Sequence, residues 1–335
     1  MKILVTGGCG FIGSNFIRHT LRRHPDARII NLDKLTYAGN PENLADVETD
    51  ARYEFVQGDI CDPATVERVF ARGVDLVFNF AAETHVDRSI GDPGSFVMTD
   101  TYGVYVLLEA LRRFGGARFV QISTDEVYGS IEVGAFRESD PLNPRNPYAA
   151  SKAGGDRLAY AYFCTHGLPV LITRASNNLG PNQYPEKIVP LFTTNAIDDL
   201  PLPLYGDGGN VRDWLYVEDH CEALWVIAER GCVGEVYNVG GGAEITNLDL
   251  TRRILAILGK PESLIQPVVD RPGHDRRYAL CCDKLRALGW TPRHDFDAAL
   301  RDTVQWYVKN QAWWRKIKSG EFRKYYEAQY RGREV

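Results

Sequence analysis

Tyr148 and Lys152 lie four residues apart, and this spacing suggests chemistry. On a helix, residues four apart share one face, so both side chains can reach one substrate oxygen. A phenol titrates near pH 10, and lowering its pKa by about three units requires roughly 4 kcal/mol of preferential stabilisation of the phenolate. A buried ammonium group nearby supplies part of this stabilisation of the phenolate. The pair predicts proton removal from a hydroxyl group, although the spacing alone also fits an ordinary helix surface.

Two acids follow the strand predicted at Arg118–Ser123, in the run Thr124-Asp125-Glu126. Ligands of open α/β sheets bind beyond the carboxyl ends of the strands, so this run would bring a hydroxyl and two carboxyl groups to the reaction crevice. Because side chains alternate along a strand, both acids can face one substrate only if the chain leaves the extended conformation at Thr124. The alternative is a plain turn with solvated acids.

A glycine-rich turn, Gly7-Gly8-Cys9-Gly10-Phe11-Ile12-Gly13, follows the first predicted strand and opens a helix. Glycine lets the backbone approach a pyrophosphate, and the N–H groups and dipole at a helix start favour an anion. Asp33 ends the second predicted strand 20 positions after Gly13, where a carboxylate binds the ribose of NAD and repels the 2′-phosphate of NADP. We therefore predict bound NAD. Asp59, after the third strand, either meets the adenine edge or caps the next helix.

Strands that alternate with helices position these residues. The predicted strands are Lys2–Thr6, Arg28–Leu32, Glu54–Gln57, Leu76–Phe80, Arg118–Ser123 and Val170–Thr173. The predicted helices are Ser14–Arg23, Thr65–Arg72, Phe96–Phe114, Tyr148–His166, Asp249–Leu258 and Phe296–Lys309. The alternation predicts an α/β fold with a Rossmann-type, doubly wound parallel sheet.

Turn signals crowd together beyond Ala175, where we predict a boundary. Residues 1–175 are expected to form an NAD-binding Rossmann domain. Residues 176–335 are expected to form a smaller, loop-rich α/β domain that mainly binds the substrate, with some C-terminal segments returning to the first domain.

Composition excludes several classes of protein. The 335 residues carry a net charge of −5 without a run of like charges, so neither a nucleic-acid nor a membrane partner is expected. The chain runs from Met1 straight into the glycine turn, which predicts a cytoplasmic protein without a signal peptide. Seven cysteines contain no C-x-x-C pair, and the histidines lack metal-ligand spacing, so we predict reduced thiols and no metal.

Several motifs together resemble the extended short-chain dehydrogenase/reductase family. They are Thr6–Gly13, Tyr148-x-x-x-Lys152 and Leu288-Gly289-Trp290-Thr291-Pro292. Three further runs, Thr124–Glu126, Ala81–Ser89 and Asp270–Tyr278, are similar to those of the nucleotide-sugar 4,6-dehydratases of that family. The resemblance implies a hydro-lyase with tightly bound NAD, dTDP-glucose as its substrate, and a place in deoxysugar biosynthesis such as rhamnose formation.

The resemblance also implies a role for each catalytic residue. Tyr148, assisted by Thr124, takes the proton of the sugar 4-hydroxyl while NAD accepts the hydride from C4. Glu126 then removes the C5 proton, and Asp125 protonates the departing C6 hydroxyl. Hydride returns to C6 and gives dTDP-4-keto-6-deoxyglucose. Two alternatives stay open: an NAD-dependent 4-epimerase, and a 4,6-dehydratase for another nucleotide hexose. A non-catalytic NAD-sensing protein would not need the tyrosine, the lysine and both acids together.

Family resemblance extends to the binding residues. The catalytic set is Thr124, Asp125, Glu126, Tyr148 and Lys152. The implied NAD contacts are Gly7, Gly10, Phe11, Ile12, Gly13, Asp33, Lys34, Leu35, Thr36, Asp59, Ile60, Phe80, Ala81, Ala82, Thr84, Thr99, Tyr148, Lys152 and Asn178. The implied nucleotide-sugar contacts are Thr84, His85, Thr124, Asn177, Lys187, Pro203, Tyr205, Arg212, Asn247 and His274. The helices Phe96–Phe114 and Tyr148–His166 resemble a pair that forms a homodimer interface, although both could equally pack internally.

Overall fold

Twelve strands and thirteen α-helices are found in the computed structural model, which describes residues 1–330. The strands are β1 (Lys2–Thr6), β2 (Arg28–Asp33), β3 (Tyr53–Gln57), β4 (Leu76–Asn79), β5 (Arg118–Thr124), β6 (Val170–Ala175), β7 (Asn177–Leu179), β8 (Leu202–Tyr205), β9 (Val211–Tyr216), β10 (Val236–Val239), β11 (Ala243–Thr246) and β12 (Ile265–Val268). The helices are α1 (Phe11–Arg23), α2 (Pro63–Phe70), α3 (Val86–Gly91), α4 (Pro93–Val97), α5 (Val104–Phe114), α6 (Pro147–His166), α7 (Ile188–Ile197), α8 (Val217–Arg230), α9 (Asn247–Leu258), α10 (Asp283–Ala287), α11 (Phe296–Lys309), α12 (Gln311–Ile317) and α13 (Glu321–Tyr330).

A seven-stranded parallel sheet occupies the centre, in the order β10-β6-β5-β4-β1-β2-β3. All six predicted strands are in it, which confirms the doubly wound fold. The strand order reverses at β1, whose neighbours are β2 and β4. A crevice forms at such a switch point, beyond the carboxyl ends of the strands. This topology places the glycine turn after β1 and the acids after β5 at the same edge of the sheet.

Apolar side chains cover both faces of this sheet. On one face, Phe16 of α1 and Trp225 of α8 belong to one buried cluster with strand residues. On the other face, Val66 of α2 and Leu107 of α5 belong to a second cluster. Full burial of an aliphatic or phenylalanine side chain contributes about 1.5–3 kcal/mol, so the two clusters stabilise the packing of the helices on the sheet.

The helix predicted over Phe96–Phe114 proves to consist of three pieces. α4 continues through a π-helical segment, Met98–Gly103, into α5. A π turn is defined by i→i+5 backbone hydrogen bonds, and the helical pattern of the sequence does not distinguish these from the i→i+4 bonds of an α-helix. Such turns are frequent at functional sites, and this one carries Thr99 and Asp100.

Helix α6 begins where the sequence predicts. Asn146 is its N-cap and accepts a hydrogen bond from the backbone N–H of Ala149 over 2.8 Å, and Pro147 occupies the first helical position. Proline fits there because its missing N–H would have no partner within the helix. The helix ends at His166, and the residue that follows, Gly167, has a left-handed φ of +65°, which suits glycine.

Residues beyond 175 contribute both to the large sheet and to smaller sheets. β10 forms one edge of the large sheet, and α8 packs against α1 beneath it. β9 pairs with β7 in parallel and with β11 antiparallel, while β8 pairs with β12. A third apolar cluster joins helices α7, α9 and α11 to these small sheets.

Within the described residues 1–330, no helix is both long enough and apolar enough to cross a membrane. The same residues contain no group of histidine, cysteine and acidic side chains placed to hold a metal ion. The seven cysteines are free thiols.

Candidate active site

The glycine turn after β1 leaves the backbone open to a ligand. A Cβ atom on Gly7, whose φ is +68°, would lie 2.7 Å from the nitrogen of Ala81, and one on Gly13 would lie 2.5 Å from the carbonyl oxygen of Gly7. Only glycine fits these close approaches. Gly10 is the N-cap of α1 and provides no side-chain cap, so the first N–H groups of α1 remain available to an anion. These features fit the pyrophosphate of NAD.

The carboxyl ends of β2 and β3 each bring one acid to the same region. Asp33 is buried and accepts hydrogen bonds from the backbone N–H groups of Cys9 and Leu35, over 2.9 and 2.8 Å. Burial raises the pKa of Asp33, although both bonds oppose the rise. Asp59 forms a 2.7 Å ion pair with Lys34. Asp62, and not Asp59, caps α2, which leaves Asp59 available to the cavity.

The run after β5 turns as predicted. β5 ends at Thr124, and Asp125–Tyr128 form a 3₁₀ helix. Thr124 Oγ1 accepts a hydrogen bond from the backbone N–H of Glu126 over 3.3 Å and lies 3.1 Å from Asp125 Oδ1. The chain therefore leaves the extended conformation immediately after Thr124, and both acids line one cavity with Tyr148.

The environments of the two acids differ. Burial, with the neighbouring charge of Glu126, raises the pKa of Asp125 well above its usual range. Asp125 Oδ2 is buried, and no hydrogen-bond partner for it exists among the described residues. Glu126 is only partly buried, and its Oε2 accepts bonds from Asn146 over 3.2 Å and from the hydroxyl of Tyr278 over 3.4 Å. Asp125 is thus the acid whose surroundings favour the protonated form, whereas Glu126 is held in place by hydrogen bonds.

Tyr148 and Lys152 lie on α6 and face the same cavity. Burial raises the pKa of Tyr148 well above its usual range, and the charges of Glu126 and Asp100 raise it further. The Lys152 ammonium donates a 2.7 Å hydrogen bond to the carbonyl of Ile122, and burial lowers its pKa. The sequence analysis predicts that Lys152 lowers the pKa of Tyr148. In the structure, burial and the nearby carboxyl groups favour the protonated phenol instead, so further positive charge is needed to ionise it.

A single cavity of about 320 Å³ brings most of the predicted residues together. Its walls include Gly7, Gly10, Phe11, Ile12, Gly13, Asp33, Lys34, Thr36, Asp59, Ile60, Phe80, Ala81, Ala82, Thr84, Thr99, Thr124, Asp125, Glu126, Tyr148, Lys152, Asn177, Asn178 and Lys187. The side chain of Lys187 is half-buried, and its ammonium donates a hydrogen bond to the carbonyl of Thr84. The side chains expected at the dinucleotide, at the hydride-transfer position and at the diphosphate therefore share one space.

Other predicted residues lie outside the cavity walls. Among residues 1–330 they are Leu35, His85, Pro203, Tyr205, Arg212, Asn247 and His274. The side chain of Leu35 packs against the apolar cluster beneath the sheet. Arg212 donates a 3.0 Å bond to the carbonyl of Asp275 and lies 4.4 Å from the ring of Tyr278.

Helix α13 covers part of this outer group. The hydroxyl of Tyr325 lies 3.3 Å from His85 Nδ1, and Gln329 donates a 3.0 Å bond to the hydroxyl of Tyr205. The rings of Tyr205 and His274 meet edge to face, with centroids 5.9 Å apart. The structure thus gathers His85, Tyr205 and His274 beside α13, apart from the cavity that holds the acids.

Three acids at or near the cavity were missed at the level of sequence. Glu83 and Glu186 line it, and Asp100 lies buried in the π-helical segment. Burial, together with Asp100 and Glu186, raises the pKa of Glu83 to about 7. Glu83 lies within the run Ala81–Ser89, and Glu186 directly precedes Lys187. The positions of both acids in the sequence therefore indicated that they could lie near the site. Nothing in the pattern around Asp100 distinguishes it from an exposed helical acid.

Comparisons with known proteins agree with this geometry. Residues 4–303 match the family described as GDP-mannose 4,6 dehydratase. The chain is 53% identical over 324 residues to a dTDP-glucose 4,6-dehydratase of Streptomyces niveus, covering 95% of this chain and 96% of that protein. It is 46% identical to dTDP-glucose 4,6-dehydratase 1 of Escherichia coli, with both chains covered completely.

A solved structure shows the same likeness in three dimensions. The crystal structure of a dTDP-glucose 4,6-dehydratase double mutant from Streptomyces venezuelae, with NAD bound, superposes with a TM-score of 0.93 at 50% identity. The match covers 95% of this chain and all of that one. The family match, the extent of these identities and the acid pair beside the tyrosine and lysine lead to one assignment. The chain belongs to the dTDP-glucose 4,6-dehydratase family, in the nucleotide-sugar branch of the extended short-chain dehydrogenases/reductases.

Proposed function

We propose that this chain converts dTDP-glucose to dTDP-4-keto-6-deoxyglucose and holds NAD throughout the turnover. One observation carries the proposal: Tyr148, Asp125 and Glu126 line the same cavity as the glycine turn. A phenol alone serves oxidation, whereas the elimination of water requires in addition a base and an acid. NAD, when bound, supplies the hydride acceptor and donor and, in its oxidised form, the positive charge that favours a phenolate.

Oxidation uses the residues on α6 and the end of β5. Tyr148 removes the proton from the 4-hydroxyl of the sugar, and Thr124 holds the oxygen by a hydrogen bond. Lys152 is buried and bonded to the carbonyl of Ile122, so it contributes a fixed positive charge on the same helix face. The product of this step is a 4-ketone, which acidifies the neighbouring C5–H.

Elimination uses the acid pair. Glu126 takes the C5 proton, and Asp125 gives its proton to the C6 oxygen, which leaves as water. Burial and the neighbouring carboxylate raise the pKa of Asp125, so this side chain carries the proton that the leaving group needs. The hydrogen bonds from Asn146 and Tyr278 orient the side chain of Glu126. The hydride for C6 would come from the reduced cofactor, and Glu126 gives the proton back to C5.

Substrate binding falls to the segment that follows β6. Lys187 places a half-buried ammonium beside Thr84, and Asn177 has a buried side-chain oxygen without a partner in the described part of the chain. A diphosphate fits a partly buried cation. The nucleoside is assigned to the outer group of Pro203, Tyr205, Arg212, Asn247 and His274. We also assign residues 1–175, joined by α8 and β10, to NAD binding and most of the remaining chain to the nucleotide sugar.

An NAD-dependent 4-epimerase is the nearest alternative function. Epimerisation moves a hydride from C4 and back, and leaves the two acids without a task. A dehydratase for another nucleotide hexose would use the same acids and differ only at the nucleoside. The acid pair therefore favours dehydration, and the identities to dTDP-glucose 4,6-dehydratases favour thymidine.

The test is turnover on a panel of dTDP-, UDP-, GDP- and CDP-glucose without added cofactor, followed by mass spectrometry for loss of water and proton NMR for the configuration at C4. The expected result is loss of one water from dTDP-glucose. Conversion to a galactose isomer without loss of mass would establish the epimerase instead. Turnover that starts only after NAD is added would contradict tight retention of the cofactor.

We also propose that two copies of the chain form a homodimer. Large apolar side chains remain exposed along α4, the π-helical segment, α5 and α6: Val97, Met98, Tyr102, Tyr105 and Tyr160. Val97 is 53% exposed and Met98 50% exposed. A row of this kind on two neighbouring helices fits the apolar centre of an interface between two copies of the chain.

A further inference from the structure

Asp100 is a buried acid close to the Tyr148–Lys152 pair, and the steps above do not use it. It lies in the π-helical segment Met98–Gly103 and is only 1% exposed. Its chain neighbour Thr99 is part of the cavity wall. A buried carboxyl group requires hydrogen bonds or a positive partner, so its surroundings indicate what holds it.

Each carboxyl oxygen of Asp100 accepts one hydrogen bond. Ser151 donates from Oγ to Oδ2 over 2.7 Å, and the backbone N–H of Glu83 donates to Oδ1 over 3.0 Å. Ser151 Oγ also lies 2.8 Å from the carbonyl oxygen of Tyr148. Thr101, in the same segment, donates to the carbonyl of Ser151 over 3.1 Å. The π-helical segment thus contacts α6 between its tyrosine and its lysine.

Asp100 is also a counter-charge for Lys152. The buried Lys152 ammonium donates to the neutral carbonyl of Ile122, and both Asp100 and Asp156 favour its charged form. Asp156 already forms a buried 2.8 Å ion pair with Arg174. Much of the charge of Asp156 is therefore neutralised elsewhere, and Asp100 carries the larger share of the compensation for Lys152.

We propose that Asp100 is a positioning residue whose negative charge keeps Lys152 protonated and sets the pH range in which the Tyr148–Lys152 pair works. The proposal rests on the proposed function, because that function supplies the turnover to be measured. It extends that function by assigning the working pH range to a residue of the π-helical segment, outside the cavity walls.

Among residues 1–330, four titratable groups face Asp100. They are Lys152 and Tyr148 from α6, Glu83 from the loop after β4, and Cys61 from the loop after β3. Burial raises the pKa of Asp100 to about 6, so its charge is complete only above that pH. A buried negative charge raises the pKa of every group near it. Removing the charge of Asp100 should therefore lower the pKa values of both Tyr148 and Lys152.

The test is Asp100→Asn, which has the same shape and no charge. The amide nitrogen of asparagine can donate to Ser151 Oγ, so the contact with α6 is retained. The expected result is a bell-shaped pH profile of kcat/KM in which both limbs move to lower pH by roughly half a unit or more, as for the loss of one nearby charge. Asp92→Asn is the matched control: it removes an exposed charge at the cap of α4, where asparagine caps equally well, and should leave both limbs in place.

A second readout requires no turnover. Folding raises the pKa of Asp100, so this group stabilises the folded protein at pH values below its pKa in the unfolded chain. That contribution to the free energy of unfolding is lost as pH rises through about 6. The stability of Asp100→Asn relative to the unmodified chain should therefore rise between pH 4 and pH 7, by thermal unfolding of the NAD-loaded protein. If asparagine prevents folding, Asp100→Ser removes the same charge and has the same expected profile.

Unchanged limbs in a folded Asp100→Asn protein, or limbs moved to higher pH, would overturn the inference. Failure of the proposed function has a different signature, because the unmodified chain would then not dehydrate dTDP-glucose at any pH. The unfolding comparison would still report on the charge of Asp100 in that case.

Discussion

Asn146 joins the start of α6 to the acid pair: its amide nitrogen donates to Glu126 Oε2 over 3.2 Å, while its oxygen caps the helix. One side chain therefore fixes both the helix that carries Tyr148 and the carboxylate that faces the same cavity. The two functions of Asn146 can be separated, because serine also caps a helix but is too short to replace the amide donor.

Replacing Asn146 by serine or by alanine should separate stability from rate. Both variants lose the bond to Glu126, so turnover should fall in both. Only alanine also loses the cap, so its free energy of unfolding should be lower than that of the serine variant by about 1 kcal/mol. Chemical denaturation and steady-state rates measure the two effects. Full turnover in either variant would show that the bond to Glu126 does not matter.

Tyr148→Phe should lower turnover by about 10²–10⁴-fold, because the base for the 4-hydroxyl is lost. The ring remains buried against Phe96, so the thermal unfolding midpoint should change little. Tyr128→Phe is the control, since this hydroxyl contacts Asn238 over 2.8 Å outside the cavity walls. That variant should lose stability and keep its rate. A fully active Tyr148→Phe protein would remove the phenol from the mechanism.

The two acids should fail at different points. In deuterated water, Glu126→Gln should not incorporate deuterium at C5, because no base removes that proton. Asp125→Asn should still exchange the C5 proton but lose dehydration by about 10²–10⁴-fold, since the leaving hydroxyl lacks its acid. Mass spectrometry of the sugar nucleotides distinguishes these results. Identical behaviour of the two variants would contradict the separate roles.

His220 should make the protein sensitive to acid. It is fully buried, its Nδ1 lies 2.9 Å from Asn178 Oδ1, and burial lowers its pKa from 6.5 to about 3. The imidazole of His220 therefore binds a proton more readily in the unfolded chain than in the folded one. Its contribution to the free energy of unfolding is complete above pH 6.5 and is lost as pH falls towards 3. His220→Gln should flatten the fall in unfolding free energy between these values. His166→Gln, at an exposed histidine, should not.

Charge at the proposed dimer interface should yield monomers. Tyr105→Glu places a carboxylate in the exposed apolar row on α5, where pairing with a second copy would bury it without a partner. Sedimentation velocity should show the unmodified chain as a dimer and this variant as a monomer. Val133→Glu, at a residue 86% exposed and outside the row, should leave the dimer intact. A monomeric unmodified chain would refute the interface.

The sequence by itself determined the fold class and the chemical character of the site. The alternation of strands and helices predicted six strands of the sheet, and the cap at Asn146 with Pro147 located the start of α6. These signals come from residues that are close together in the sequence. The turn after Thr124, for example, follows from the requirement that two adjacent acids face one ligand. The glycine turn likewise follows from backbone geometry within one strand and one helix.

Tertiary structure alone decided which distant segments meet. β10, beyond residue 175, closes one edge of the sheet, and α13 covers His85 and Tyr205. The π turn that contains the buried Asp100 is defined by its backbone hydrogen bonds, which the helical pattern of the sequence does not distinguish from those of an α-helix. The pKa of Tyr148 depends on burial and on carboxylates brought in from other elements, none of which a motif of five residues contains. Burial and charge at a site are sums over the whole fold, whereas a sequence pattern reports only neighbours along the chain.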